Sequence, residues 1–177
     1  MNITVYLGSF EGHDDSMREA ARELGRWIGE SGNALVYGGS KIGLMGVLAE
    51  SVIEAGGRAT GVEPGFFVEK VLQYDALTEL IVTKDMSDRK AKMIELGDAF
   101  IALPGGTGTL EEISEIMSSV SLGLIDAPCI LYNHKGYYDS LKAQLDKMIE
   151  MGLSSEERQK GIYFANSIAE IVEILGR

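Results

Sequence analysis

Cysteine occurs once in the 177 residues, at Cys129, so the chain cannot close an intramolecular disulfide. Histidine occurs only at His13 and His134, which leaves no zinc-type ligand cluster, and neither a metal nor a cofactor is expected. Proline is also scarce, at 3 residues, so the 22 glycines do not form a flexible linker and must serve local turns or close approaches. No run approaches the roughly 20 apolar residues that a membrane span requires. Positive charge is in short supply, with 16 basic against 27 acidic side chains and a formal charge of −11. That field repels phosphate backbones and anionic lipid, which argues against nucleic acid or a membrane as partner and favours a small molecule. The opening MNITVYLGSF reads as a strand with no basic leader, and a cytoplasmic location is expected.

The chain does have apolar content, 45% hydrophobic at a mean hydropathy of +0.05, enough for one well-filled core. One domain over 1–177 is expected. Short β-branched runs alternate with segments of helical period, which predicts an α/β fold with a parallel sheet covered on both faces. Strands are expected at 3–7, 34–37, 58–62, 79–82, 99–103, 129–132 and 162–165. Helices are expected at 16–30, 43–55, 87–96, 110–122, 137–151 and 168–175. The stretch 64–76, with Phe66 and Phe67, lacks a clean period and reads as a mobile or substrate-facing loop. Gly97 reads as a left-handed helix cap.

In an open parallel sheet the ligand lies beyond the carboxyl ends of the strands. Three glycine turns follow strands and converge there: Gly8-Ser9, Gly38-Gly39, and the run Pro104-Gly105-Gly106-Thr107-Gly108-Thr109. In the third, glycines let main-chain amides approach an anion, threonines add hydroxyl donors, and the following helix start supplies partial positive charge. It reads as a phosphate cradle. No lysine follows its last glycine and the spacing is not GxGxxG, so neither a nucleoside triphosphate nor a dinucleotide is implied.

Glu111 and Glu112 follow on the same helix. Adjacent helical positions point about 100° apart, so only one carboxylate can aim at the loop, and beside an anion it asks for a cation. Arg89 and Lys90, at the start of the preceding helix, are the candidates. Basic groups there oppose the helix dipole and themselves ask for an anion, which Asp85 and Asp88 also offer as a plain surface network. Phe66, Phe67 and Tyr74 are candidate stacking groups for a base, with packing as the alternative, and Tyr137, Tyr138 and Trp27 read as core or interface.

Gly43-Leu44-Met45-Gly46, Arg89-Lys90 and the run from Pro104 to Glu112 resemble the Lonely Guy (LOG) proteins, cytokinin riboside 5′-monophosphate phosphoribohydrolases that also carry an older lysine-decarboxylase label. The resemblance implies a Rossmann-like, doubly wound, three-layer homodimer. It also implies cleavage of a nucleoside 5′-monophosphate to free base and ribose 5-phosphate. The family's catalytic arginine falls on Arg89 and its catalytic glutamate on Glu112. Gly8, Ser9, Gly38, Gly39, Met45, Gly46, Lys90, Glu111 and the residues from Pro104 to Thr109 would hold substrate. Ser87 stands where the family usually has histidine, 118–123 departs from its Thr-Trp-x-Gln-Leu-Gly stretch, and Val71, with Glu69 nearby, replaces a common acidic residue. These changes turn the expected base toward AMP or another purine monophosphate. A different class of reading is a non-catalytic carrier of a phosphorylated ligand, similar to the molybdenum-cofactor carriers. Arg89 together with Glu112 favours the enzyme, since a carboxylate beside a phosphate would cost a pure binder affinity.

Overall fold

The computed structural model describes residues 1–13, 15–68 and 73–176; Glu69 and Val71 lie outside them. Seven strands form one sheet: β1 Asn2–Tyr6, β2 Ala34–Tyr37, β3 Arg58–Pro64, β4 Glu79–Thr83, β5 Ala99–Ala102, β6 Cys129–Tyr132 and β7 Ile162–Ala165. Their spatial order is β4-β3-β2-β1-β5-β6-β7 with every pairing parallel. The order reverses between β1 and β5, where Thr4 lies opposite Val36 on one side and Phe100 on the other. Loops leaving these two strands diverge and open a crevice.

The helices are α1 Ser16–Glu30, α2 Gly43–Glu54, α3 Gly65–Val68, α4 Met86–Leu96, α5 Thr107–Ser121, α6 Asp139–Glu150, α7 Glu156–Gln159 and α8 Ile168–Leu175. The crossovers between parallel strands place helices on both faces of the sheet. On one face Ala20, Ala21, Leu24 and Ile28 of α1, Leu48 and Val52 of α2 and Ile171 of α8 pack against Ile3, Val5, Leu35 and Ile101. On the other, Met93 of α4, Ile113, Ile116 and Met117 of α5 and Leu145 of α6 cover Tyr6, Val36, Phe100 and Leu131. Strands buried on both sides carry near-continuous apolar runs, as AFIA in β5 does. This is the expected three-layer, Rossmann-like architecture. Among the described residues no helix is long and apolar enough to cross a membrane.

Most element boundaries fall within one residue of the sequence expectation, and the larger departures have physical causes. β3 runs on to Pro64 because β4 pairs with it as far as Thr83, and the stretch after it opens with the single turn α3. α5 starts at Thr107, three residues early, with Gly106 as its N-cap. α6 starts at Asp139: Lys135 (φ 51°) and Gly136 (φ 75°) hold a left-handed turn, and the Asn133 carboxamide accepts from the Tyr138 amide. Gly97 is not a left-handed cap, since it sits at φ −82°, ψ 131°. A Cβ there would come within 2.5 Å of Thr4 Oγ1 and 2.7 Å of Phe100 Cε1, so crowding excludes a side chain.

Gly97→Asn separates these two explanations. A left-handed cap tolerates Asn, whereas a crowded contact is expected to cost about 1–3 kcal/mol. Urea unfolding should show that loss, and an unchanged midpoint would count against the packing account.

Candidate active site

The third glycine turn is built against the first. A Cβ on Gly105 would lie 2.3 Å from Thr109 Oγ1 and 3.0 Å from the Gly8 amide nitrogen, so the turns after β1 and β5 meet backbone to backbone at the crevice. No side chain caps α5 at Gly106, which leaves the first-turn amides without an internal partner. Two tyrosines brace the loop from the far side: Tyr137 Oη donates to the Gly105 carbonyl at 2.5 Å and Tyr138 Oη to the Leu103 carbonyl at 3.0 Å. The result is a braced turn of main-chain amides at a helix start, an arrangement suited to an anion.

The acidic and basic pairs interlock beside it. Arg89, on the first turn of α4, donates through Nη1 to Glu112 Oε1 at 2.6 Å and through Nε to the Val62 carbonyl at 3.0 Å. Each side chain of this ion pair is 11% exposed. Lys90 turns outward to Glu111 at 2.8 Å and Glu115 at 3.1 Å, partners that are largely exposed. The 100° offset therefore sorts both pairs, with Arg89 and Glu112 inward and Lys90 and Glu111 outward. Asp85 does not anchor the cations. It caps α4 by accepting from the Asp88 amide, so the surface-network alternative gives way to pairing across helices.

Burial pushes the Glu112 carboxyl up, while the charge and hydrogen bond of Arg89 pull it back. Lys90 is raised by its hydrogen bonds to Glu111 and then Glu115. The Tyr6 phenol, on the strand beneath, is pushed up by burial and next by Glu112.

A cleft of about 390 Å³ opens over this pair, lined by Leu7 to Phe10, Met45, Phe67, Met86, Arg89, Gly106 to Thr109, Glu111 and Glu112. Gly8, Ser9, Met45, Arg89, Gly106, Thr107, Gly108, Thr109, Glu111 and Glu112 are thus brought together as the sequence suggested. Pro104 and Gly105 line a neighbouring, mostly apolar cleft of about 500 Å³ that shares Gly8, Phe10 and Gly106. Gly38, Gly39, Gly46 and Lys90 do not line the 390 Å³ cleft. Gly38 makes room instead for Arg89, whose Nη2 would lie 2.4 Å from a Cβ, and Gly46 for the Lys41 carbonyl, 2.1 Å away. Of the candidate stacking aromatics only Phe67 lines this cleft, and Tyr74 packs on the core. His13 is exposed.

Sequence reasoning missed the bracing role of Tyr137 and Tyr138, and it missed Glu63. Glu63 is 1% exposed at the end of β3. A charged residue in a strand buried on both faces was the available signal.

A model of the family described as possible lysine decarboxylase matches residues 45–175. The chain is 40% identical over 173 residues to cytokinin riboside 5′-monophosphate phosphoribohydrolase LOG1 of Arabidopsis thaliana, covering 98% of this chain and 81% of that protein. It is 44% identical over 146 residues to the cytokinin riboside 5′-monophosphate phosphoribohydrolase of Rhodococcoides fascians, covering 82% and 74%. Among solved structures, the molybdenum cofactor binding protein of Rippkaea orientalis superposes with a TM-score of 0.75 at 24% identity over 99% of this chain and 94% of that one. That last likeness is one of fold.

Removing one member of a buried ion pair strands the other, at about 3–5 kcal/mol, whereas replacing both by apolar groups is often neutral. Arg89→Met and Glu112→Leu are each expected to show such a loss in urea unfolding, and the double variant to approach the parent. Additive losses in the double variant would contradict a coupled buried pair.

Proposed function

The chain belongs to the LOG family, whose model keeps the older description of possible lysine decarboxylase, and from that membership we propose that it hydrolyses the N-glycosidic bond of a nucleoside 5′-monophosphate. The products are a free base and ribose 5-phosphate. The observation that carries this reading is a buried, arginine-held carboxylate one helical turn from an uncapped helix start. The amides of Gly106 to Thr109 take the 5′-phosphate, which sets the sugar over Glu112. As the C1′–N bond breaks, positive charge grows on the ribose ring, and a fixed carboxylate stabilises it and orients the attacking water. Water adds its oxygen to C1′, and the departing base takes up a proton. Arg89 acts by charge, since a guanidinium that stays protonated is a poor acid.

Flat or polarisable apolar groups around the cleft, Phe67, Met45 and Met86, suit a purine, and AMP or another purine monophosphate is the substrate we favour over a cytokinin nucleotide. Pyridoxal chemistry finds no footing: among the described residues the lining of this cleft includes no lysine, and Lys90 is engaged by Glu111 and Glu115. The carrier reading draws support from fold likeness alone and leaves Glu112 without a use. Pairing with a second copy is supported by exposed Leu110 on α5 and Leu122 and Leu124 just beyond it.

Incubation with a panel of nucleoside monophosphates should release base and ribose 5-phosphate. Glu112→Gln is expected to lower kcat by about 10²-fold or more, the scale of losing one preorganised electrostatic group. Arg89→Ala should also be impaired, and the unphosphorylated nucleosides should turn over poorly. Because Glu112 is raised and works ionised, activity should increase with pH along a limb above the ordinary glutamate value of about 4.3. Turnover that survives both substitutions would remove this mechanism, and tight binding without turnover would favour the carrier.

A further inference from the structure

Among the described residues Glu63 is the one deeply buried carboxylate that the reaction does not use. Its Oε2 has no hydrogen-bonding partner among the described residues. An unpaired buried carboxylate is costly, and a hydrophobic side chain of similar size would avoid that cost. Packing alone therefore does not account for a glutamate here.

Its surroundings tie it to Arg89. The Val62 carbonyl, one residue earlier, accepts from Arg89 Nε. The neighbouring turn is shaped for both groups: a Cβ on Gly38 would lie 2.4 Å from Arg89 Nη2, and one on Gly39, at φ +82°, would lie 2.7 Å from Glu63 Cγ. Strand alternation sends Glu63 to the face of Ala59, opposite the face of Val62 on which α4 and α5 pack. Glu112 thus holds the guanidinium, and Glu63 lies close enough to Arg89 for the arginine's charge to favour its ionised form.

We propose that Glu63 is a positioning residue: its carboxyl backs the Arg89 guanidinium on the side away from Glu112, and its charge sets how strongly Arg89 attracts a phosphorylated ligand. Among the described residues the titratable or charged groups facing it are Arg89 of α4, which favours its ionised form, and the Tyr37 phenol of β2, on which Glu63 acts. Tyr74 lies on the far side of Tyr37 and also raises it. Both tyrosines are themselves pushed up, so neither ionises before the carboxyl does. Burial is the largest influence on Glu63 and raises it, so its titration lies above the usual carboxylate range. At low pH it is neutral and Arg89 is free to serve the ligand. As pH rises, a negative charge appears behind the guanidinium and weakens that attraction.

The role in turnover rests on the hydrolase reading, whereas the effect on binding does not. Calorimetry with ribose 5-phosphate from about pH 5 to about pH 9, on the parent and Glu63→Gln, cancels the titration of the ligand itself. The two should bind most nearly alike at the acidic end. At the alkaline end the variant should bind about tenfold more tightly, the equivalent of one pK unit of coupling. KM for the nucleotide substrate should follow the same split more than kcat does. A ratio that is flat with pH, or a uniform loss at every pH as expected of a merely structural residue, overturns the proposal. Should Glu63→Gln fail to fold, carbon and nitrogen NMR of the parent decides: Arg89 Nε must shift with the same midpoint as the Glu63 carboxyl, and a titration without that response refutes the coupling. Parent protein that shows the coupling yet hydrolyses no nucleoside monophosphate overturns the hydrolase reading alone, and turnover with a flat ratio overturns Glu63 alone.

Discussion

The site depends on one interaction, the buried ion pair between Arg89 of α4 and Glu112 of α5. A carboxylate beside an anion-binding helix start is electrostatically unfavourable by itself, and an arginine at a helix start opposes the dipole. Brought together, each supplies what the other's position lacks. The 2.6 Å contact spans two helices on the same face of the sheet, so it also locks the geometry of the cleft between them.

The rest of the site serves to make that contact possible. Gly38 gives up a side chain to admit the guanidinium, and the Val62 carbonyl fixes its orientation. Gly8 and Gly105 let two loops meet where the strand order reverses, and Tyr137 and Tyr138 brace the second loop from the opposite side. Gly38, which does not line the cleft, therefore still belongs to the site, as the space the guanidinium occupies.

Much of the fold was legible because local and global preferences agree. The spans of α1, β2, β6, β7 and α8 follow from apolar period and caps, and the structure reproduces them. Where expectation and structure part, a nonlocal contact decides. Gly97 looks like a helix cap until Thr4 and Phe100, from two strands, are seen to crowd it. β3 seems to end at Val62 until β4 is found paired to Pro64.

For the site, sequence alone determined the residue types and their order: a glycine-threonine turn at a helix start, two acids after it, and two bases on the helix before. Helical geometry further required the adjacent acids to diverge. Only the tertiary structure decided that Arg89 meets Glu112 while Lys90 meets Glu111, because that choice depends on how α4 and α5 lie across β5, a relation between elements and not a property of either. The same holds for Glu63. Gly39 of another strand's turn packs against it, and no period within its own segment records a neighbour that only folding supplies.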